Sequence, residues 1–220
     1  MAGVVVVGLV VTSIAIGPSS PSTNASAATI RHYWSSHQGR ASLQIACMLY
    51  AAVFAIVYFA SVARYLRSRG ADVLAQVIVA GGILMVAGIV VGAGTMALFT
   101  DHFSTLGKSD ATVQTLNAIS EDLWWPLLVV GSTIATLAIG VSALRTRALP
   151  KWVGIVAVID GIGGLSGVGS WFAFMASAIV TLLVAYVVYQ RLGQPQSITM
   201  PDVPGQRAVA ETPASETSKA

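Results

Sequence analysis

Charge and cysteine are what this chain has least of. Only 10% of its 220 residues are Asp, Glu, Lys or Arg, where a soluble domain carries about 25%. The single cysteine, Cys47, excludes an internal disulfide and the multi-cysteine zinc patterns. Lying in an apolar run, it reads as a small buried or lipid-facing residue. The histidines, His32, His37 and His102, all fall between apolar runs, so a membrane-embedded bis-His haem is not expected. His32 and His37 are too far apart for an i, i+4 pair on one helix face, and no metal-binding motif surrounds them. There is no P-loop, dinucleotide fingerprint, His-Glu-x-x-His or Gly-x-Ser-x-Gly. The expectation is a chain without cofactor, metal or enzymatic machinery. A net charge of +3 and a pI near 9.2 could suggest nucleic acid. The basic residues, however, cluster at the ends of apolar runs, as a membrane requires.

What the chain does have is long apolar segments. Hydrophobic residues make up 55% of it and the mean hydropathy is +0.76. Five runs stand out: Ala41 to Ala63, Val73 to Phe99, Trp124 to Leu144, Trp152 to Trp171 and Ala173 to Tyr189. Each has the length of a spanning helix, and in lipid the backbone must satisfy itself internally, so these are predicted helices. A sixth run, Ala2 to Ile16, is short for a span and has no basic flank before it. It reads as a retained short first helix; the alternative is a signal-peptide core with cleavage near Ala25-Ser26-Ala27. The fold class expected is therefore an all-α integral membrane bundle of about six transmembrane helices over residues 1–192. A disordered cytoplasmic tail rich in Pro, Ser, Thr, Ala and Glu would follow over 193–220.

Orientation follows from Lys and Arg placement. Arg64, Arg67, Arg69, Arg145, Arg147, Lys151, Arg191, Arg207 and Lys219 belong to one side, predicted cytoplasmic together with the C-terminus. The other side holds Arg31, Arg40 and Lys108 beside Asp101, Asp110, Glu121 and Asp122. Aromatic residues fit two interfacial belts: Trp34, Phe99, Phe103, Trp124, Trp125, Trp171, Phe172 and Phe174 outside, and Tyr65, Trp152, Tyr186 and Tyr189 inside. The outer connections run from about Pro18 to Arg40 and Thr100 to Leu123. In the second, Val113, Leu116 and Ile119 predict a short amphipathic helix on the outer surface.

Asp160 stands where a carboxylate is costly. From Trp152 to Trp171 a helix would span roughly 28 Å, close to the ~30 Å hydrocarbon thickness, with Asp160 near the middle. Ionised there it would cost at least ~2.5 kcal/mol, so it must be paired, wetted or protonated. Counting inward from the basic ends brings Thr136, Thr181 and Tyr58 to its depth. These four residues form the candidate midplane polar site: a proton- or cation-handling centre or substrate anchor, or else helix glue. Glycines give the second signal, with Gly88 and Gly92, and Gly163 and Gly167, as small-xxx-small pairs. Clustered after Asp160, they could equally mark an unwound stretch.

The stretch Ala143-Leu-Arg-Thr-Arg-Ala-Leu-Pro-Lys-Trp-Val-Gly154 resembles a connection in bacterial multi-pass membrane proteins assigned to a domain of unknown function. These pair a basic Leu-Pro-basic-Trp turn with a glycine-containing helix. The resemblance implies about six helices in the cytoplasmic membrane and carries no activity with it. The function expected is a non-enzymatic structural or partner-binding membrane subunit, with the lipid bilayer and a membrane protein or second copy as partners. The alternative is a small proton- or cation-coupled transporter using Asp160, and a weaker third is an intramembrane enzyme acting on lipid.

Overall fold

A computed structural model describes residues 1–17, 21–101, 109–166 and 170–192. The helices among them are α1 Ala2–Ile16, α2 Ala27–Arg67, α3 Asp72–Asp101, α4 Asp110–Asp122, α5 Trp124–Thr146, α6 Lys151–Leu165 and α7 Ser170–Leu192. No strand occurs among the described residues. His102, Phe103, Lys108, Gly167, Gly169, the Trp171 side chain and the tail from Gly193 lie outside them.

The chain is an all-α membrane bundle. Four stretches are long and apolar enough to cross a bilayer: Ala27–Arg67, Asp72–Thr100, Asp110–Thr146 and Phe172–Arg191. The apolar α1 and α6 have 15 residues each, fewer than the ~20 of a full span. Six helices close a ring, since α1, α2, α3, α5, α6 and α7 each pack on the next and α7 returns to α1.

Two expected boundaries are corrected. The Pro18–Arg40 connection is helical from Ala27 onward, continuous with the first long span as α2. Ser26 starts it by accepting a hydrogen bond from the Thr29 backbone N–H at 3.2 Å, the side-chain cap a helix start favours. No proline follows before Arg67. Polarity therefore ends the hydrophobic run without ending the helix. The expected Trp152–Trp171 span stops at Leu165. The glycine-rich half does not sustain it, and the helix closes on Ser166, whose backbone N–H bonds to the Gly163 carbonyl.

At 41 residues, α2 is roughly 61 Å long, twice the ~30 Å hydrocarbon layer. Its first turns join the end of α3 and α4 in a platform with a small core of Ala27, Ile30, Trp34, Ala41, Phe99 and Val113. Trp34 stacks on Phe99, ring centroids 5.0 Å apart. Arg31 reaches Asp110 at 2.7 Å. The amphipathic helix expected after Ser109 is present as α4, but it packs on α2 through Val113, with Ile119 exposed. Trp34 and Phe99 thus face each other rather than lipid headgroups.

The opposite end carries Arg64, Arg67, Arg69, Arg145, Arg147 and Lys151, and is called the basic end below. Here Tyr58, Phe59, Val62, Leu66, Ile78, Ile139, Val153 and Val184 belong to one buried cluster with many alanines. The turn between α5 and α6 is locked into it. Ala148 and Leu149 are buried, and the Tyr65 hydroxyl donates to the Ala148 carbonyl at 2.8 Å. Tyr65 is therefore a buried clasp, whereas Trp152, Phe172, Tyr186 and Tyr189 stand exposed as belt residues should.

Candidate functional site

On α6 the buried positions are Val153, Gly154, Ala157, Asp160, Gly161 and Gly164, a stripe of threes and fours facing the bundle. Ile155, Ile159, Ile162 and Leu165 cover the other side and are exposed. Asp160 thus falls within the inward stripe, and the glycines beside it set how near α5 comes. A Cβ at Gly161 would strike Leu137, and one at Gly164 would strike the Thr133 side chain. Glycine keeps both positions clear. The pair Gly88 and Gly92 does the same on α3, where added Cβ atoms would meet the Leu128 backbone and the Trp124 ring. Gly163 has only ordinary contact with Ala173, and its expected partner Gly167 lies outside the described residues. The closest approaches on α6 come at Gly161 and Gly164 instead.

The close approach produces a small polar void. Asp160, Ser132, Thr133, Thr136, Gly164 and Ser177 line it with Val129, Ala173 and Phe174. Its volume is about 10 Å³, room for about one water. Asp160 is only 8% exposed, and its Oδ1 is fully buried with no hydrogen-bond partner among the described residues. Ser132 donates its hydroxyl to the Val129 carbonyl at 2.9 Å and Ser177 donates to the Phe174 carbonyl at 2.8 Å. With those protons committed, both hydroxyls have only lone pairs left to offer. No Lys, Arg or His among the described residues lines the void. A carboxylate and hydroxyl oxygens gathered without a cation suit a proton, a hydrogen-bonded water or a small cation.

The four residues matched by depth fall into two pairs. Thr136 shares the void with Asp160. Tyr58 is buried on α2, with its side chain near that of Thr181 on α7. It lines a separate cavity at the basic end with Met1, Gly3, Ser61 and Tyr189. Depth counting missed Ser132, Thr133 and Ser177. The spacing of Ser132 and Thr136, one turn apart on α5, was a legible signal. Ser177 was not, because its place opposite Asp160 depends on where α6 breaks.

A third cavity, about 90 Å³, lies inside the ring on the platform side. Its walls include Met48 and Ala51 of α2, Met85 and Ile89 of α3, and Trp124 and Leu128 of α5. Phe174 lines this cavity and the Asp160 void alike, so its ring forms the shared wall. Edge contacts run from Trp124 to Trp125 and from Trp125 to Phe174, each at 5.5 Å between centroids. An aromatic row thus leads from the platform side to the carboxylate.

No protein-family model, no curated protein and no solved structure matches this chain.

Proposed function

We propose that this is a small non-enzymatic carrier of the cell membrane in which Asp160 binds and releases a proton or small cation. The basic end, with the C-terminus, faces the cytoplasm, and the platform faces out. One observation carries the reading: a buried carboxylate oxygen with no partner among the described residues, in a hydroxyl-lined void one phenyl ring from a larger cavity. Helix glue has no use for an unpaired oxygen, because burying a polar group unmade costs more than the bond would return. An ion-handling site needs that open valence. A structural subunit would be expected to present an exposed small-residue face to a partner. Gly81, Gly88, Gly131, Gly140, Gly161 and Gly164 are instead in contact within the chain. The multi-pass bacterial proteins that the basic turn resembles remain the natural place for this architecture.

Proteoliposomes under an imposed membrane potential, with an internal pH dye, test the reading. The parent is expected to take up protons or a monovalent cation, and Asp160→Asn to lose at least tenfold of that flux while keeping its thermal midpoint. Flux in the parent no greater than in empty vesicles, or undiminished flux in the folded variant, overturns it. The second reading, a partner-binding subunit, is favoured by the platform. α2 and α4 form a packed surface beyond the bilayer that proton binding does not require.

A further inference from the structure

We infer that the platform-side cavity is a binding site for one hydrocarbon chain of a membrane lipid. The inference rests on the cavity walls and not on Asp160, so it goes beyond the carrier reading and can stand or fall separately.

The walls state the chemistry. Among the described residues no charged side chain lines the cavity, and apart from the Trp124 and Trp125 indoles its polar groups are Ser13 and Gln44. Both sit at one end. Ser13 is in the last turn of α1, and the Gln44 amide lies against Gly17, just beyond that helix. The polar end is therefore the platform end, and the walls furthest from it, Ala51 and Met85, are apolar. This is the polarity of an amphipathic lipid, with the polar part outward and the chain inward.

Shape agrees with chemistry. Along α3 the lining runs from Met85 to Met96, roughly 16 Å of helix. The lining thus extends along α3, and a volume of about 90 Å³ limits the guest to part of one chain. Met48, Met85 and Met96 supply unbranched, adaptable walls suited to a flexible ligand. An apolar cavity stays dry and takes apolar guests; an engineered one of about 150 Å³ holds benzene. Its surroundings provide the guest, because the cavity lies among membrane-crossing helices where the solvent is acyl chain.

The test is photolabelling in phosphatidylcholine vesicles doped with a phosphatidylcholine bearing a diazirine at the chain end. Adducts are mapped by mass spectrometry. Ile89 and Leu128 are both 3% exposed and line the cavity, whereas Ile83 and Val90 are exposed on the same stretch of α3. Lipid surrounding the protein reaches only the exposed pair. Adducts on Ile89 and Leu128 are expected in the parent, falling at least tenfold in Ala51→Phe, whose ring fills the cavity, with Ile83 and Val90 labelled as before. Met85→Trp is the second blocking variant should Ala51→Phe not fold. Asp160→Asn is expected to label as the parent does, so lost flux with retained labelling separates the two proposals. Adducts confined to Ile83 and Val90, or labelling of Ile89 by a small water-soluble diazirine but not by the lipid, would overturn the assignment.

Discussion

The two ends of the bundle are built from similar helices yet packed in different ways. At the basic end a single buried cluster draws on α1, α2, α3, α5, α6 and α7. Toward the platform the buried residues divide into two smaller groups, one around Ile89 and Leu128 and one in the platform itself, with the cavity of about 90 Å³ inside the ring beside the first. The basic end has a cavity of about 140 Å³, but it lies at the bundle's margin between α1, α2 and α7. The difference lies in side-chain size. Alanine at 55, 63, 75, 135, 138, 143 and 157 brings the basic-end helices close. At the other end α3 and α5 approach at Gly88 and Gly92, while the large Met48, Met85 and Trp125 fill the space between the remaining helices. Small residues give dispersion contacts over the whole interface, which is what associates helices where lipid removes the hydrophobic drive. Large residues of irregular shape leave room for a guest.

The sharpest way to break this comparison is at the α3–α5 contact. A Cβ at Gly81 would lie 2.7 Å from the Ala135 backbone nitrogen and 2.8 Å from the Gly131 carbonyl. Backbone cannot step aside as a side chain can. Gly81→Val is expected to cost about 3 kcal/mol or more, read as a large fall in thermal midpoint or loss of the monodisperse protein in mild detergent. Near-parent stability would mean that the two helices are not clamped there.

A matched pair on α2 compares the two ends directly. Ala51 and Ala55 are both fully buried, one turn apart. Ala51 lines the cavity, while Ala55 belongs to the basic-end cluster. Ala55→Phe should destabilise by about 1–3 kcal/mol through overpacking, whereas Ala51→Phe has a void to enter and should cost less than about 1 kcal/mol. The two thermal midpoints decide it. Equal losses would show that the cavity wall is as unyielding as the core.

Much of this was legible in the sequence and some was not, for physical reasons. Hydrophobic length located α3, α5 and α7 to within a few residues, because a bilayer permits little besides helix. The same signal was blind to Ala27–Arg40, where composition turns polar while nothing breaks the backbone. It overran α6 because glycine is apolar on a hydropathy scale yet weak as a helix former. At the candidate site, Asp160 announced itself by the cost of a charge in lipid. Its neighbours depend on which face of α5 and α7 turns inward, which depth along a helix cannot reveal. Thr136 was reached and Thr181 was matched in depth only.

The smallest effects compare the polar contacts at the two ends. Tyr65 is 5% exposed and donates to a carbonyl in the tightly packed α5–α6 turn. Tyr65→Phe removes that donor and leaves the Ala148 oxygen buried, at a cost of about 1 kcal/mol. The Arg31–Asp110 pair is shorter, at 2.7 Å, but its side chains are 33% and 75% exposed. Water and salt screen such a pair, so Arg31→Ala should cost at most about 0.5 kcal/mol, and less as ionic strength rises. Chemical denaturation of the two variants in the same detergent makes the measurement. The ordering is the informative result. A larger loss from Arg31 than from Tyr65 would mean that the platform, and not the close-packed basic end, is where the bundle is held.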